Sequence, residues 1–390
     1  MSKYTYYTPT KLYIDEDVNK IGEIINNYGF KKVLFLYGKN SIKENGLYDK
    51  VIDSLNKNQI SFIEAGGVEP NPKIEFVREV LNSNYDFDFI LAVGGGSVID
   101  TAKSISVSYQ SGNEPWDYNM HRKIADKNVP IGVILTISAA GSEMSNSCVI
   151  SNLESNDKQG FNNDLMRPLF AIMNAELTYG VNKYQTACGI VDILMHTLER
   201  FITDDDLMVS SEFAIGIIKT VIKNGLIAYN EPDNYIARKN LMLASSFSHN
   251  GLTSMGHTFY FRCHKFEHVI SGFYDHVSHG AGLAICWPAY AKYVYKDEAV
   301  LPRFLRLAYE VFDVEKTDNK LVDAYRGILR LEAFFKSLGM PTRMQDLNIG
   351  IENLERFALK LTNDKKTKVV DYIAIDYNRA LEIFKLMWVE

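Results

Sequence analysis

Along roughly the first 180 residues, short apolar runs alternate with segments whose apolar side chains recur at helical spacing. Lys31–Gly38 (KKVLFLYG) is an apolar run ending in glycine, the pattern of a strand buried on both faces. In Ser41–Lys57, Ile42, Leu47, Val51, Ile52 and Leu55 fall on one side of a helix. Ile60–Ala65 predicts a second strand, and Gly66–Pro72 (GGVEPNP) a loop dense in turn residues. A helix over Lys73–Asn84 follows, then a strand over Phe87–Val93 that runs into Gly94-Gly95-Gly96. Ile131–Leu135 and Pro168–Met173 are further strands. This strand–helix alternation predicts a mainly parallel sheet covered by helices.

Beyond Val181 the period changes. Helical patterns over Tyr184–Ile202, Ser210–Tyr229, Asn234–Asn250, Phe259–Ser271, Gly280–Tyr293 and Val300–Phe312 follow one another almost without strand signals. The expectation is an α/β domain over 1–181 and an all-α domain over 182–390, two domains being usual for this length. A net charge of −6 argues against a nucleic-acid surface, which needs a basic patch. The four cysteines are far apart without a CxxC pair, which suggests reduced thiols in a cytoplasmic protein. No apolar run is long enough to span a membrane, and the N-terminal segment lacks the apolar stretch of a signal peptide.

Leu91–Ser106 (LAVGGGSVIDTAKSIS) places a strand, three glycines and a helix start in succession. Glycine lets a ligand approach the backbone closely, and a helix N-terminus offers unpaired N–H groups and the positive end of the dipole. Together these suit a pyrophosphate. The loop is neither GxGxxG nor a Walker loop, and without a Gly-Lys-Ser/Thr ending it disfavours nucleotide hydrolysis. A tight turn that happens to hold three glycines is the competing reading.

Of eight histidines, seven fall between His196 and His279. Asp192 and His196 share a helix face at i, i+4, as do His264 and His268. His279 stands at a helix junction before Gly280. Taken singly, each histidine is more readily a core or surface residue. Jointly, Asp192, His196, His264 and His279 could hold one divalent ion with positions to spare, and that nitrogen-rich set suits Zn(II) or Fe(II) better than Mg(II) or Ca(II). Glu267 and Asp275 are further possible ligands, and Glu267 could instead orient a histidine. Such an ion lowers the pKa of an alcohol and polarises an aldehyde, which suits hydride exchange with a nicotinamide; a histidine near the ion suits the accompanying proton transfer.

Gly94-Gly95-Gly96-Ser97-x-x-Asp100-x-x-Lys103, Gly141-Ser142-Glu143, Asp192-x3-His196, His264-x3-His268 and His279-Gly280 occur in this order. Over roughly residues 7–360 the chain resembles the iron-containing (group III) alcohol dehydrogenases, above all the butanol dehydrogenase and broad aldehyde reductase branch. The resemblance implies a dehydroquinate-synthase-like architecture: a dinucleotide-binding α/β domain followed by a helical metal-binding domain. It also implies an exchange of primary alcohols and aldehydes with NAD(P)(H), and a homodimer. By position, Asp192, His196, His264 and His279 match the metal ligands, and His268 matches a histidine beside the nicotinamide, a proton-relay candidate. Gly95, Gly96, Ser97 and Asp100 match the cofactor loop. Asn71, Thr136, Ser138, Lys158, Leu177 and Thr178 match other cofactor contacts.

Three departures from the family pattern stand out. Ten residues, Val269 to Ser278, separate His268 from His279 where relatives usually have nine, so His276 competes with His279; the glycine after His279 favours the latter. Ala139-Ala140-Gly141-Ser142-Glu143 replaces Gly-Thr-Gly-Ser-Glu and lacks a threonine hydroxyl. Gly38, Lys39, Asn40 and Ser41 stand where NAD-preferring relatives often carry aspartate, which predicts a preference for NADP(H) over NAD(H). A dehydroquinate-synthase-like or glycerol-dehydrogenase-like enzyme, or a non-catalytic metal- or nucleotide-binding relative, are the alternatives. The first should show a basic cluster for a phosphorylated substrate, which the sequence does not display. The aromatics of Thr253–Arg262 suit either an apolar substrate pocket or core packing.

Overall fold

A computed structural model describes residues 4–204 and 207–388. The chain divides into two compact units. One comprises Tyr7–Asn182 with Glu231–Asn250, the other Lys183–Asn230 with Gly251–Glu390 and the described residues before Tyr7. A single boundary near 181 therefore misses one feature: the helix Tyr235–His249 belongs to the first unit. The reason lies in its polar face. Tyr235 and Lys239 donate to Asp15, Ser245 bonds the Ala139 backbone, and Ser246 donates to Glu143.

The first unit is built on strands β1 (Lys11–Ile14), β2 (Lys32–Tyr37), β3 (Ser61–Gly66), β4 (Phe89–Gly94), β5 (Ile131–Leu135) and β8 (Phe170–Met173). They form one sheet in the order β1-β8-β5-β4-β2-β3, every pairing parallel. Side-chain alternation divides the core in two. Leu34, Leu36, Ile90, Ala92 and Val133 face one layer with Ile99 and Ile105, whereas Val33, Phe35, Phe89, Leu91 and Ile172 face the other with Ile21 and Val51. Both faces being covered explains why these strands appear in the sequence as continuous apolar runs. From β2 the chain steps outward to β3 and then returns to β4 on the other side, so the order reverses between β2 and β4. In open α/β sheets a ligand crevice opens outside the carboxyl ends of such strands.

Three strands escape the hydrophobic pattern. β1 is a four-residue edge strand, and β6 (Ser147–Asn152) with β7 (Asp157–Asn162) forms an antiparallel hairpin of largely polar sequence. The helix expected over Ser41–Lys57 is two helices, Ser41–Glu44 and Leu47–Lys57, broken where Gly46 adopts φ +74°. In the second unit the expected helices appear as Lys183–Phe201, Met208–Asn230, Arg262–Phe273 and His279–Val294. The pattern over Val300–Phe312 resolves into a helix over Leu301–Arg306 and a π-helical turn over Leu307–Val311. Helices Lys320–Ser337, Leu354–Leu361 and Tyr377–Trp388 lie beyond the last one anticipated.

Candidate active site

The histidine cluster is assembled by three helices of the second unit. Helix Lys183–Phe201 carries Asp192 and His196 one turn apart, Arg262–Phe273 carries His264 and His268, and His279 opens His279–Val294. Glycines allow these helices to meet. A Cβ on Gly280 would overlap the backbone of Cys188, and one on Gly282 would press into the Glu267 side chain. The glycine after His279 is thus a packing requirement that brings the Asp192 helix against it.

Asp192 Oδ1 lies 3.4 Å from His196 Nδ1, 3.7 Å from His264 Nε2 and 3.7 Å from His279 Nε2. Donors about 2.1 Å from one ion in a tetrahedral array would be separated by about 3.4 Å. Asp192 Oδ1 and His264 Nε2 are moreover buried with no hydrogen-bond partner. Two facing, buried polar atoms left unsatisfied are costly unless something is held between them. The far side of two rings is fixed by carboxylates: His264 Nδ1 meets Glu199, and His279 Nδ1 meets Glu267. With Nδ1 carrying the proton, each Nε2 keeps its lone pair for an ion. Against the desolvation of a buried ring, Glu199 and Asp192 raise the His264 pKa to about 9. The residues present fit a divalent cation.

The ten-residue spacing is accommodated between helices. His276 is exposed and packs on Tyr274, as part of the loop that separates Arg262–Phe273 from His279–Val294, while His279 remains at the cluster. Asp275 is likewise exposed. Glu267 bonds a ring, although its ring is that of His279 rather than of its sequence neighbours. Glu199 was not anticipated; its only signal is its place about two turns beyond Asp192 and one beyond His196 on a buried helix. His268 lies beside the cluster, its ring centroid 5.8 Å from that of His279 and 6.4 Å from that of His264. Among the aromatics of Thr253–Arg262, Phe261 packs edge-on against His264 with centroids 4.9 Å apart. Arg262 pairs with Asp371 at 3.3 Å in the core, and both His257 nitrogens meet backbone carbonyls.

In the first unit, β4 delivers Gly94 and Gly95 to the start of helix Gly96–Tyr109, whose first turn no side chain caps. A Cβ on Gly95 would overlap Ile137, and one on Gly96 would sit 3.1 Å from Ala140 Cβ. The Ser138 hydroxyl is buried without a partner. Uncapped amides, a backbone with no room for side chains and an orphaned hydroxyl fit a dinucleotide's phosphates. Thr136 follows β5, its N–H donating to Gly94 O at 3.1 Å. Asn71 and Lys158, remote in sequence, meet through a 3.1 Å hydrogen bond. Leu177 and Thr178 lie in a 3₁₀ turn, with the Thr178 hydroxyl donating to Ala175 O. Asp100 is engaged within the fold: Ser142 donates to one carboxylate oxygen and the Val149 N–H to the other. Fully buried Lys103, whose ammonium pKa burial lowers, donates to Ser142, Ser145 and the Ser147 carbonyl. This network fastens the loop after β5 to the glycine-loop helix.

Residues 9–175 match the family model of the iron-containing alcohol dehydrogenases, and residues 186–388 match the C-terminal model of the same family. The chain belongs to the iron-containing alcohol dehydrogenase family. It is 38% identical over 390 residues to the NADH-dependent butanol dehydrogenase A of Clostridium acetobutylicum, with 99% of each chain covered. It is 31% identical to the NADPH-dependent aldehyde reductase YqhD of Escherichia coli, covering 98% of this chain and 99% of the relative. The crystal structure of NADH-dependent butanol dehydrogenase A from Thermotoga maritima superposes with a TM-score of 0.95 at 34% identity, covering 100% of this chain and 99% of that one. The family assignment favours an NAD(P)-dependent alcohol and aldehyde oxidoreductase over the dehydroquinate-synthase-like and non-catalytic alternatives.

Proposed function

We propose that Asp192, His196, His264 and His279 hold a single Fe(II) or Zn(II) ion, and that the chain reduces short to medium linear aldehydes to primary alcohols, and the reverse, with a nicotinamide cofactor. The observation that carries this reading is the pair of buried, unpartnered atoms, Asp192 Oδ1 and His264 Nε2, facing one another beside two further imidazoles. The ion supplies Lewis-acid polarisation of the substrate oxygen. Glu199 and Glu267 hold the His264 and His279 rings in the tautomer that presents Nε2. His268 passes the proton between that oxygen and water.

On the cofactor side, the first-turn amides at Gly95, Gly96 and Ser97 hold the pyrophosphate. Thr136, Ser138, Leu177, Thr178 and the Asn71–Lys158 pair contact the rest of the dinucleotide, and Asp100 acts by holding the loop that carries Ser142. The adenosine end meets Gly38, Lys39, Asn40 and Ser41. These offer donors and no carboxylate, which supports a preference for NADP(H). The names of the similar proteins span both dependences, NADH for the butanol dehydrogenases and NADPH for YqhD. A cytoplasmic homodimer completes the reading. Four buried free cysteines accord with a reducing compartment, and light scattering measures the assembly.

Anaerobic reconstitution with Fe(II) and Zn(II) in turn, followed by an aldehyde panel with NADH and NADPH, tests this reading. One ion per chain and ion-dependent oxidation of the cofactor by butanal are expected. An apoprotein that takes up no ion, or turnover that survives its complete removal, would refute it.

A further inference from the structure

The absence of a carboxylate from Gly38–Ser41 is a feature of the sequence, but the fold brings one there from elsewhere. β2 and β3 run in parallel register to Tyr37 opposite Gly66, and the pairing continues past the strand ends. The Gly67 N–H donates to Gly38 O at 2.8 Å and the Val68 N–H to Tyr37 O at 3.2 Å. The next residue, Glu69, consequently faces Lys39, with Oε1 2.7 Å from Nζ. The loop behind Glu69 is fastened. Asn71 is buried at φ +51°, Lys158 donates to its side chain, and the Ser151 N–H donates to Pro72 O at 2.8 Å. The backbone thus holds Glu69 beside Lys39, while the two side chains, 62% and 50% exposed, remain open to exchange partners.

A 2′-phosphate carries up to two negative charges. To bind it, Lys39 must be shared with Glu69 or leave it, and the Glu69 carboxylate repels the phosphate over the same few ångströms. We propose that Glu69 is a specificity-determining residue: it neutralises Lys39 and sets a negative charge beside Gly38–Ser41, so the Lys39–Glu69 balance governs the choice between NADPH and NADH. This rests on the proposal that Gly38–Ser41 meets the adenosine end of the cofactor.

The test is equilibrium titration of the full-length protein with NADPH and NADH, read by nicotinamide fluorescence. Glu69→Gln is expected to lower the Kd for NADPH about three- to tenfold without lowering that for NADH. The gain should shrink when ionic strength rises from ~20 mM to ~500 mM, since both groups are solvent-facing. Lys39→Gln should weaken NADPH selectively. If Lys39→Gln weakens NADPH but Glu69→Gln leaves its Kd unchanged, or shifts both cofactors alike, the role given to Glu69 is wrong while the adenosine-end reading stands. If neither Lys39→Gln nor Ser41→Ala alters NADPH relative to NADH, the adenosine-end reading itself fails.

Discussion

The two units build their sites by opposite means. In the helical unit, the candidate donors are side chains on three helices, two of the rings, His264 and His279, are braced by buried carboxylates, and an ion is what the proposed function adds to satisfy them. In the sheet unit, the proposed pyrophosphate donors are contiguous backbone amides at Gly95–Ser97, where side chains matter chiefly by being absent. A site made of side chains fails when a donor is deleted. A site made of backbone fails when a Cβ is added. The contrast also separates what each unit tolerates: the histidine cluster depends on tertiary convergence, while the glycine loop depends on one strand leading directly into one helix.

The largest effect should come from deleting a donor. His264→Ala removes one corner of the cluster and leaves Asp192 and Glu199 buried without that ring. Bound metal should fall well below one equivalent, and kcat/KM for butanal by on the order of 10³-fold. Elemental analysis beside kinetics checks both, and a variant that retains full metal content would break the comparison at its strongest point. Glu199→Gln leaves all four donors in place but replaces the carboxylate that orients His264. Metal affinity should fall about 10–100-fold, measured by chelator competition, with the folded state intact by circular dichroism.

The complementary perturbation adds an atom in the other unit. Gly95→Ala drives a methyl group into Ile137, so cofactor Kd should rise about tenfold while metal content is unchanged. Loss of metal in that variant would mean that the two sites do not fail independently. The smallest effect concerns the buried acid behind the loop. Burial raises the Glu143 carboxyl pKa above its ordinary value, against the opposing hydrogen bond from Ser246. A raised folded-state pKa means that the folded protein binds the extra proton, so this group favours folding below the unfolded carboxyl range and costs stability as pH rises through its folded pKa. Glu143→Gln keeps a partner for Ser246 without the charge. It should flatten the decline in Tm as pH rises above the unfolded carboxyl range, and an unchanged slope would show that Glu143 is not a source of it.

Much of the fold was legible because periodicity is local. β2, β4 and β5 stand out as apolar runs since both faces are buried, and the long helices of the second unit repeat their apolar positions for several turns. β6 and β7 were not legible, because the hairpin is largely polar and sends only a few side chains, Cys148, Ile150 and Phe161, into the core, too few to show a period. The helix Tyr235–His249 was visible as a helix, but its assignment to the sheet unit depends on bonds from Tyr235, Lys239, Ser245 and Ser246 to residues over a hundred positions away. Within the site, the i, i+4 pairs Asp192/His196 and His264/His268 could be found by spacing and Glu267 could be named as a residue to orient a histidine, whereas Glu199, and which ring Glu267 would meet, could not.

By itself, the order of residues determined the alternation that makes the first unit α/β, the loop where a strand meets an uncapped helix, and the clustering of histidines on particular helix faces. Each of these follows from backbone geometry acting over a few residues. Tertiary structure placed His279 beside Asp192 and His276 away from it, and it alone decided that Glu199 stands behind His264, that Glu267 stands behind His279, and that Glu69 meets Lys39. Those outcomes depend on which helices can approach closely, as Gly280 allows against Cys188, and on how far strand pairing continues past Tyr37. Packing sets such distances, and no short-range repeat in the chain encodes them.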